Sequence, residues 1–306
     1  MTTTLPLAAH PQSQTTAGSP EPARGPDTVL TLSCPQRSGI VHAISHFLME
    51  RGSNITEHQQ FDDVVDGRLF LRTAFTGTAP DTDVEKLTAD FSPVAAEFDM
   101  AYTFHNGARP RVLVMVSKFS HCLHDLIFRW QTDSLAADLV AVVSNHEDLR
   151  PMAEAAGLPF HHIPITAQTK ADAESRLLEL VGSYQTDLVV LARYMQVLSN
   201  DLCRQLSGRA INIHHSFLPG FKGARPYKQA YDRGVKQIGA TAHYVTADLD
   251  EGPIIEQEII RVDHRLSPDQ LATAGRDTEA LALSRAVRLH AEKRVLLSGH
   301  RTIIFT

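Results

Sequence analysis

Asn212, His214 and His215 stand in one apolar run, Ala210 to Ser216 (AINIHHS). Successive side chains of a strand point to opposite faces, so Asn212 and His214 share one face while Ile211, Ile213 and His215 share the other. An asparagine NH2 beside an imidazole donor aims two hydrogen bonds at one spot, as a carbonyl oxygen requires when it becomes a tetrahedral oxyanion. The pair needs a third group to set the charge and orientation of the ring. Asp250, just before Glu251-Gly252-Pro253, is the candidate, because a neighbouring carboxylate favours the protonated imidazole. Taken alone, such a triplet is more often polar decoration or a pair satisfied inside a core. A metal reading of His214 with His215 is weaker, since neighbours on a strand diverge and no further ligand stands at metal spacing. The pair His161–His162 fails on the same ground.

The elements that must position these groups have two rhythms. From Thr28 the order reads β-α-β-β-α-β, a ferredoxin-like unit. It runs as a strand at TVLTLSC, a helix with Ile40, Val41, Ile44, Phe47 and Leu48 at helical spacing, a hairpin around DVVDGR, a second helix interrupted or bounded by Pro93, and a strand at MAYTFH. The expected division is a tail over 1–27, this unit over 28–106, a linker over 107–111 and a second unit over 112–306. In the second, the apolar runs RVLVMVS, LVAVVSN, FHHIPI, LVVLAR and AINIHHS are mostly separated by helical segments starting near Ser120, Glu147 and Lys170. That alternation predicts an open, mostly parallel, Rossmann-like α/β sheet. Ligands bind in such sheets beyond the carboxyl ends of the strands, which puts Asn212 and His214 at the mouth of a cleft, under the loop SFLPGFKGARPY. A β segment, a long helix from about Ser267 to Leu297 and a last strand RTIIF close the chain.

Bulk properties bound the function. The 306 residues are 43% hydrophobic and 21% charged with net charge −6, an ordinary globular balance with no basic block, which argues against nucleic acid as the main partner. No apolar run approaches the roughly 20 residues that span a bilayer. The three cysteines (Cys34, Cys122, Cys203) are widely spaced and suit a reducing compartment. The first 27 residues, rich in Thr, Ser, Pro, Ala and Gly, lack the basic start and apolar middle of a secretion signal. A cytoplasmic protein is expected.

The string from Ile211 to Gln257, with HHSFLPGFKGARPY, ATAHYV and LDEGPII, and then GRDTEALALSRAV, resembles the folate-dependent formyltransferases, and within them the formyltetrahydrofolate deformylases. The N-terminal unit resembles an ACT domain in CPQRSGIVHAISHFL. The resemblance implies a catalytic trio of Asn212, His214 and Asp250 acting on 10-formyltetrahydrofolate as substrate, with no metal or redox cofactor. It implies a pteridine pocket between Tyr194, Met195, Gln196, Val197 and Leu198 on one side and Thr246, Ala247, Asp248 and Asp250 on the other. Arg225 is a candidate contact for a folate-tail carboxylate or a plain loop arginine. The ACT resemblance implies a homo-oligomer and an amino-acid effector, glycine or methionine, near Arg37, Gly39, Ile40, Asn54 and Ile55. Gln36 and Ser38 stand where that family usually shows Asp and Pro.

Two fates are open to the formyl group. Transferases of the family keep a glycine-rich, phosphate-approaching loop after the first strand of this unit, and here the loop is SKFSHCLHDL, without glycine. Lys118 is its one cation, Ser120 a helix N-cap candidate, and Cys122 has no activating neighbour in sequence. Water is therefore the expected acceptor, with hydrolysis to formate and tetrahydrofolate serving one-carbon balance and purine synthesis. Transfer to an amine is the alternative, and a catalytically silent folate or amino-acid binder is a third reading.

Overall fold

The computed structural model describes residues 28–77, 83–218 and 226–306. The expectations for the tail, for Arg225 and for the rest of the loop over 219–225 fall outside the described residues.

The first unit is β1 (Thr28–Pro35), α1 (Ile40–Glu50), β2 (Asn54–Asp63), β3 (Arg68–Thr76), α2 (Val84–Phe98) and β4 (Ala101–His105). Its sheet has the order β2-β3-β1-β4, every pair antiparallel. Ile40, Ile44, Phe47 and Leu48 of α1 and Leu87, Phe91, Ala95 and Phe98 of α2 are buried against Leu30, Leu32, Leu71 and Phe75. That is the expected helical spacing facing a two-residue strand period. Pro93 neither interrupts nor bounds α2, which continues for five residues beyond it. Pro93 is exposed, so the carbonyl one turn back that loses its donor faces water.

The second unit is built on β5 (Arg111–Val116), α3 (His121–Gln131), β6 (Asp138–Ser144), α4 (Arg150–Ala155), β7 (Phe160–His162), α5 (Lys170–Ser183), β8 (Leu188–Leu191), α6 (Asn200–Gln205), β9 (Ala210–His214), α7 (Pro226–Asp232), β10 (Gln237–Tyr244), β11 (Ile254–Arg261) and α8 (Pro268–Ala291). Arg111, placed in the linker by sequence, opens β5. The sheet order is β11-β10-β9-β8-β5-β6-β7, with β5 to β9 mutually parallel and β10 and β11 antiparallel. Both faces are covered, which is why these strands read as continuous apolar runs. Val112, Val114 and Val116 pack with α3 and α8 on one face, and Leu113 and Met115 pack with α5 and α6 on the other.

α8 starts at Ser267, which accepts from the Gln270 N–H in a capping box. It ends at Ala291 rather than near Leu297. Lys293 takes a left-handed φ of 56°, and the N–H groups of Lys293 and Arg294 close back onto His290 and Leu289 carbonyls. The apolar residues that continue the helical pattern instead form β12 (Val295–Ser298), paired with β13 (Arg301–Ile304) around Gly299. Buried Arg72 of β3 donates to Glu57 at 2.7 Å and to the Glu292 carbonyl at 3.0 Å, and Arg294 grips Glu57 at 2.9 and 3.0 Å. These groups join the two units.

Candidate active site

β9 delivers Asn212 and His214 to the carboxyl end of the parallel sheet. Its neighbour β10 sets Asn212 directly opposite His243 and His214 opposite Thr241. A register shift in β10 between Ala242 and His243 is the kind of bulge that re-aims a side chain at a sheet margin. The strand ends in the turn that carries Asp250, whose φ of 57° is left-handed. Holding a non-glycine residue there costs on the order of 1 kcal/mol or more. Gly252 lets the turn close: a Cβ on it would stand 1.8 Å from the Tyr244 carbonyl oxygen.

The structure brings the three sequence-derived groups together. His214 is 5% exposed, and its Nδ1 lies 3.3 Å from Asp250 Oδ1. A carboxylate can only accept, so Nδ1 carries the proton. His214 Nε2 is buried with no hydrogen-bond partner among the described residues. The hydrogen bond from His214 is the chief cause that holds the Asp250 carboxyl well below the ordinary carboxylate range. Asn212 Nδ2 is 3.3 Å from His243 Nε2. His243 Nδ1 donates to the Tyr244 carbonyl at 2.9 Å, so in the neutral ring Nε2 accepts from the amide and fixes which way the Asn212 NH2 points.

A cavity of about 230 Å3 opens over this group. Tyr194, Met195, Gln196, Val197 and Leu198 form one wall, and Thr246, Ala247, Asp248 and Asp250 the other. The first wall is loop rather than helix, and Ser117 pins it: its hydroxyl accepts from the Met195 N–H at 3.0 Å and donates to Asn145 at 2.6 Å. Ser199 then caps α6 through the Leu202 N–H. Thr246 donates to the Asp248 carbonyl at 3.0 Å and braces the second wall. Met195, Val197 and Leu249 line this cavity and are each more than half exposed, an apolar rim suited to a flat ring system.

The other described candidates do not line this cavity. Arg37 lies over the Phe98 ring at 5.3 Å. Gly39 opens α1 at φ 95°, Ile40 and Ile55 belong to the first core, and Asn54 is exposed on β2. Ser120 is the N-cap residue of α3, yet its side chain makes no capping bond. Burial pushes the Cys122 thiol well above its ordinary range, which leaves it unreactive.

The structure also gathers residues that sequence left without a role. Glu279 of α8 is 1% exposed. It accepts from His121 Nε2 at 2.8 Å and from the Tyr227 hydroxyl at 2.6 Å, and it faces Arg193 Nε at 3.2 Å. Burial alone would raise the Glu279 carboxyl, but the His121 bond and the Arg193 charge hold it below its ordinary value. His121, Cys122 and Glu279 are close enough for a metal ion. Glu279 is already engaged by a guanidinium and two donors, an arrangement that repels a cation.

The comparisons with known proteins agree with this architecture. Residues 110–287 match the family model described as formyl transferase. Formyltetrahydrofolate deformylase of Corynebacterium sp. (strain P-1) is 55% identical over 278 residues, spanning 90% of this chain and 97% of that protein. The crystal structure of formyltetrahydrofolate deformylase from Burkholderia mallei is 52% identical with a TM-score of 0.86, covering 92% of this chain and 100% of that one. The chain belongs to the formyltetrahydrofolate deformylase family. The enzyme of this name from Pseudomonas syringae, 44% identical, superposes with a TM-score of 0.89 over 93% of this chain and 96% of its own. A deformylase thus carries the trio on the matched formyl transferase segment, and the N-terminal unit lies within the span shared with its relatives. His243 was absent from the sequence-derived set because only the pairing of β9 with β10 sets it against Asn212. Arg193 and Glu279 lie 86 positions apart, and no local spacing links them.

Proposed function

We propose that the protein hydrolyses 10-formyltetrahydrofolate to formate and tetrahydrofolate. The observation that carries the reading is the His214 ring held by Asp250 through Nδ1, with Nε2 unpartnered among the described residues and Asn212 beside it under the cavity. The pteridine enters between the 194–198 and 246–250 walls. The formyl oxygen receives hydrogen bonds from Asn212 and from Nε2–H of charged His214. Water adds to the formyl carbon, and Asp250 keeps the imidazole charged and orients the water. The oxyanion then collapses, the C–N10 bond breaks, N10 takes a proton and formate leaves. Release of formate and tetrahydrofolate would balance one-carbon units and supply formate for purine synthesis. In the N-terminal unit, binding of glycine or methionine near Gly39 and assembly into a homo-oligomer complete the reading. Calorimetry without heat for either amino acid would remove the effector part.

The test uses purified protein, 10-formyltetrahydrofolate and no amine. Formate and tetrahydrofolate should appear in equal amounts and vanish in His214→Ala. Intact, bound substrate would instead favour the amine-transfer reading.

A further inference from the structure

We infer that Arg193, held by Glu279, is the residue that reserves the formyl group for water. The inference rests on the hydrolytic reading above. Arg193 follows β8 and precedes the pteridine wall, and its φ of 64° is left-handed. The guanidinium lies over the Phe119 ring at 5.3 Å and against Glu279 at 3.2 Å, with Nε lacking an aligned acceptor among the described residues. Glu279 is fixed in turn by His121 and by Tyr227. Tyr227 is seated on Gly275, where a Cβ would stand 2.1 Å from its hydroxyl oxygen. The network then returns to the trio: Tyr227 packs on His215, and His215 on His214, with ring centres 6.4 and 5.1 Å apart. Arg193, His214, His215 and Asp250 line one cavity. The cavity that holds the trio is therefore also lined by a braced arginine.

A guanidinium offers only donors. Water has two lone pairs, so it can accept from Arg193 with one and attack the formyl carbon with the other, while its hydrogen points to Asp250. A neutral primary amine has a single lone pair. If it accepts from Arg193 it cannot attack, and if it attacks it leaves a buried donor unmatched, a large discrimination for a built site. Amine transfer would form a C–N bond to the formyl carbon, break C–N10, and move one proton from the amine to N10. Arg193 opposes the first of these steps.

The experiment follows formate and N-formylglycinamide in the same reaction, with 10-formyltetrahydrofolate and added glycinamide, corrected for the uncatalysed reaction. Wild type is first run without glycinamide: absence of formate there sinks the hydrolytic reading and this inference with it. With wild type hydrolysing, Arg193→Gly is compared, since glycine keeps the left-handed backbone without strain. The ratio of formylated amine to formate should rise about tenfold or more. Glu279→Gln, which keeps the shape and removes the charge that holds Arg193, should raise it in the same direction. An unchanged ratio in folded variants that still turn over overturns the inference. Loss of both products in both variants, with native circular dichroism, also overturns it, by placing Arg193 in hydrolysis itself.

Discussion

At the scale of single residues, the trio divides its work by hydrogen-bonding capacity. In the proposed mechanism Asn212 is the oxyanion donor, and its contact with His243 orients the amide. Asn212→Ala should lower kcat by roughly 10²–10³, about 3 kcal/mol, the scale for one lost oxyanion donor, with little change in KM. Turnover near that of wild type in the purified variant would remove Asn212 from the mechanism. Asp250 is held ionised chiefly by its hydrogen bond from His214. Its folded pKa is lowered, so its contribution to stability is complete above the unfolded value of about 3.9 and is lost as pH falls below it. The carboxylate is therefore present throughout the neutral range. Asp250→Asn should cut activity and move the pH–rate profile, because the charged imidazole loses its partner. A profile superimposable on wild type would contradict the role assigned to Asp250.

At the scale of elements, the site depends on one turn and one strand pairing. The stretch from Asp250 to Pro253 passes under the end of β10, where Tyr244 N–H donates to the Pro253 carbonyl at 2.9 Å. Gly252 has no room for a methyl group against the Tyr244 backbone, and backbone on both sides cannot yield as a flexible side chain could. Gly252→Ala should shift Asp250 away from His214 and lower kcat/KM by about a hundredfold or more, since an ångström of misplacement is worth that much. The assay is steady-state kinetics alongside a melting curve. Wild-type kinetics would show that the turn tolerates the displacement. Earlier on β10, the Thr241 hydroxyl donates to the Ser216 carbonyl and accepts from the Leu218 N–H, both at 3.0 Å. The chain leaving His214 is thus tied to β10 before it enters the loop.

At the scale of the whole molecule, three half-buried histidines make stability fall in mild acid. His105, His215 and His290 are each pushed down to about 4, first by burial, then by Lys293 for His105 and His290 and by Arg193 for His215. Their folded values lie below the unfolded value of about 6.5. Between those limits the unfolded chain binds more protons, so stability is complete above about 6.5 and declines as pH falls toward 4. Each group adds up to about 1.4 kcal/mol per pH unit. Denaturant titrations at pH 7, 6 and 5 should show this slope, and a flat result would contradict it. His290 accepts or donates at Nδ1 to the Tyr244 hydroxyl at 2.7 Å, and His105 ends β4, so two of the three belong to the region where the units meet. Arg72, Glu57 and Arg294 join the units in the same region.

Periodicity in the chain was enough for both sheets and most helices, because a strand buried on both faces and a helix with one apolar stripe leave different spacings. It also sufficed for the shared face of Asn212 and His214, since alternation along one strand is a local property, and the Gly-Pro turn after Asp250 marked a residue that the structure sets against His214. Local pattern misplaces Pro93 and the end of α8 for two reasons: solvent takes up the carbonyl that Pro93 leaves without a donor, and the β12–β13 pairing draws off the residues after α8. His243 needed the register of β10 on β9 to reach Asn212. Arg193 and Glu279 needed α8 to be laid across the sheet before a guanidinium and a carboxylate could meet beside His215. Contacts between distant segments depend on how elements pack in three dimensions, and that packing alone decided what surrounds the trio.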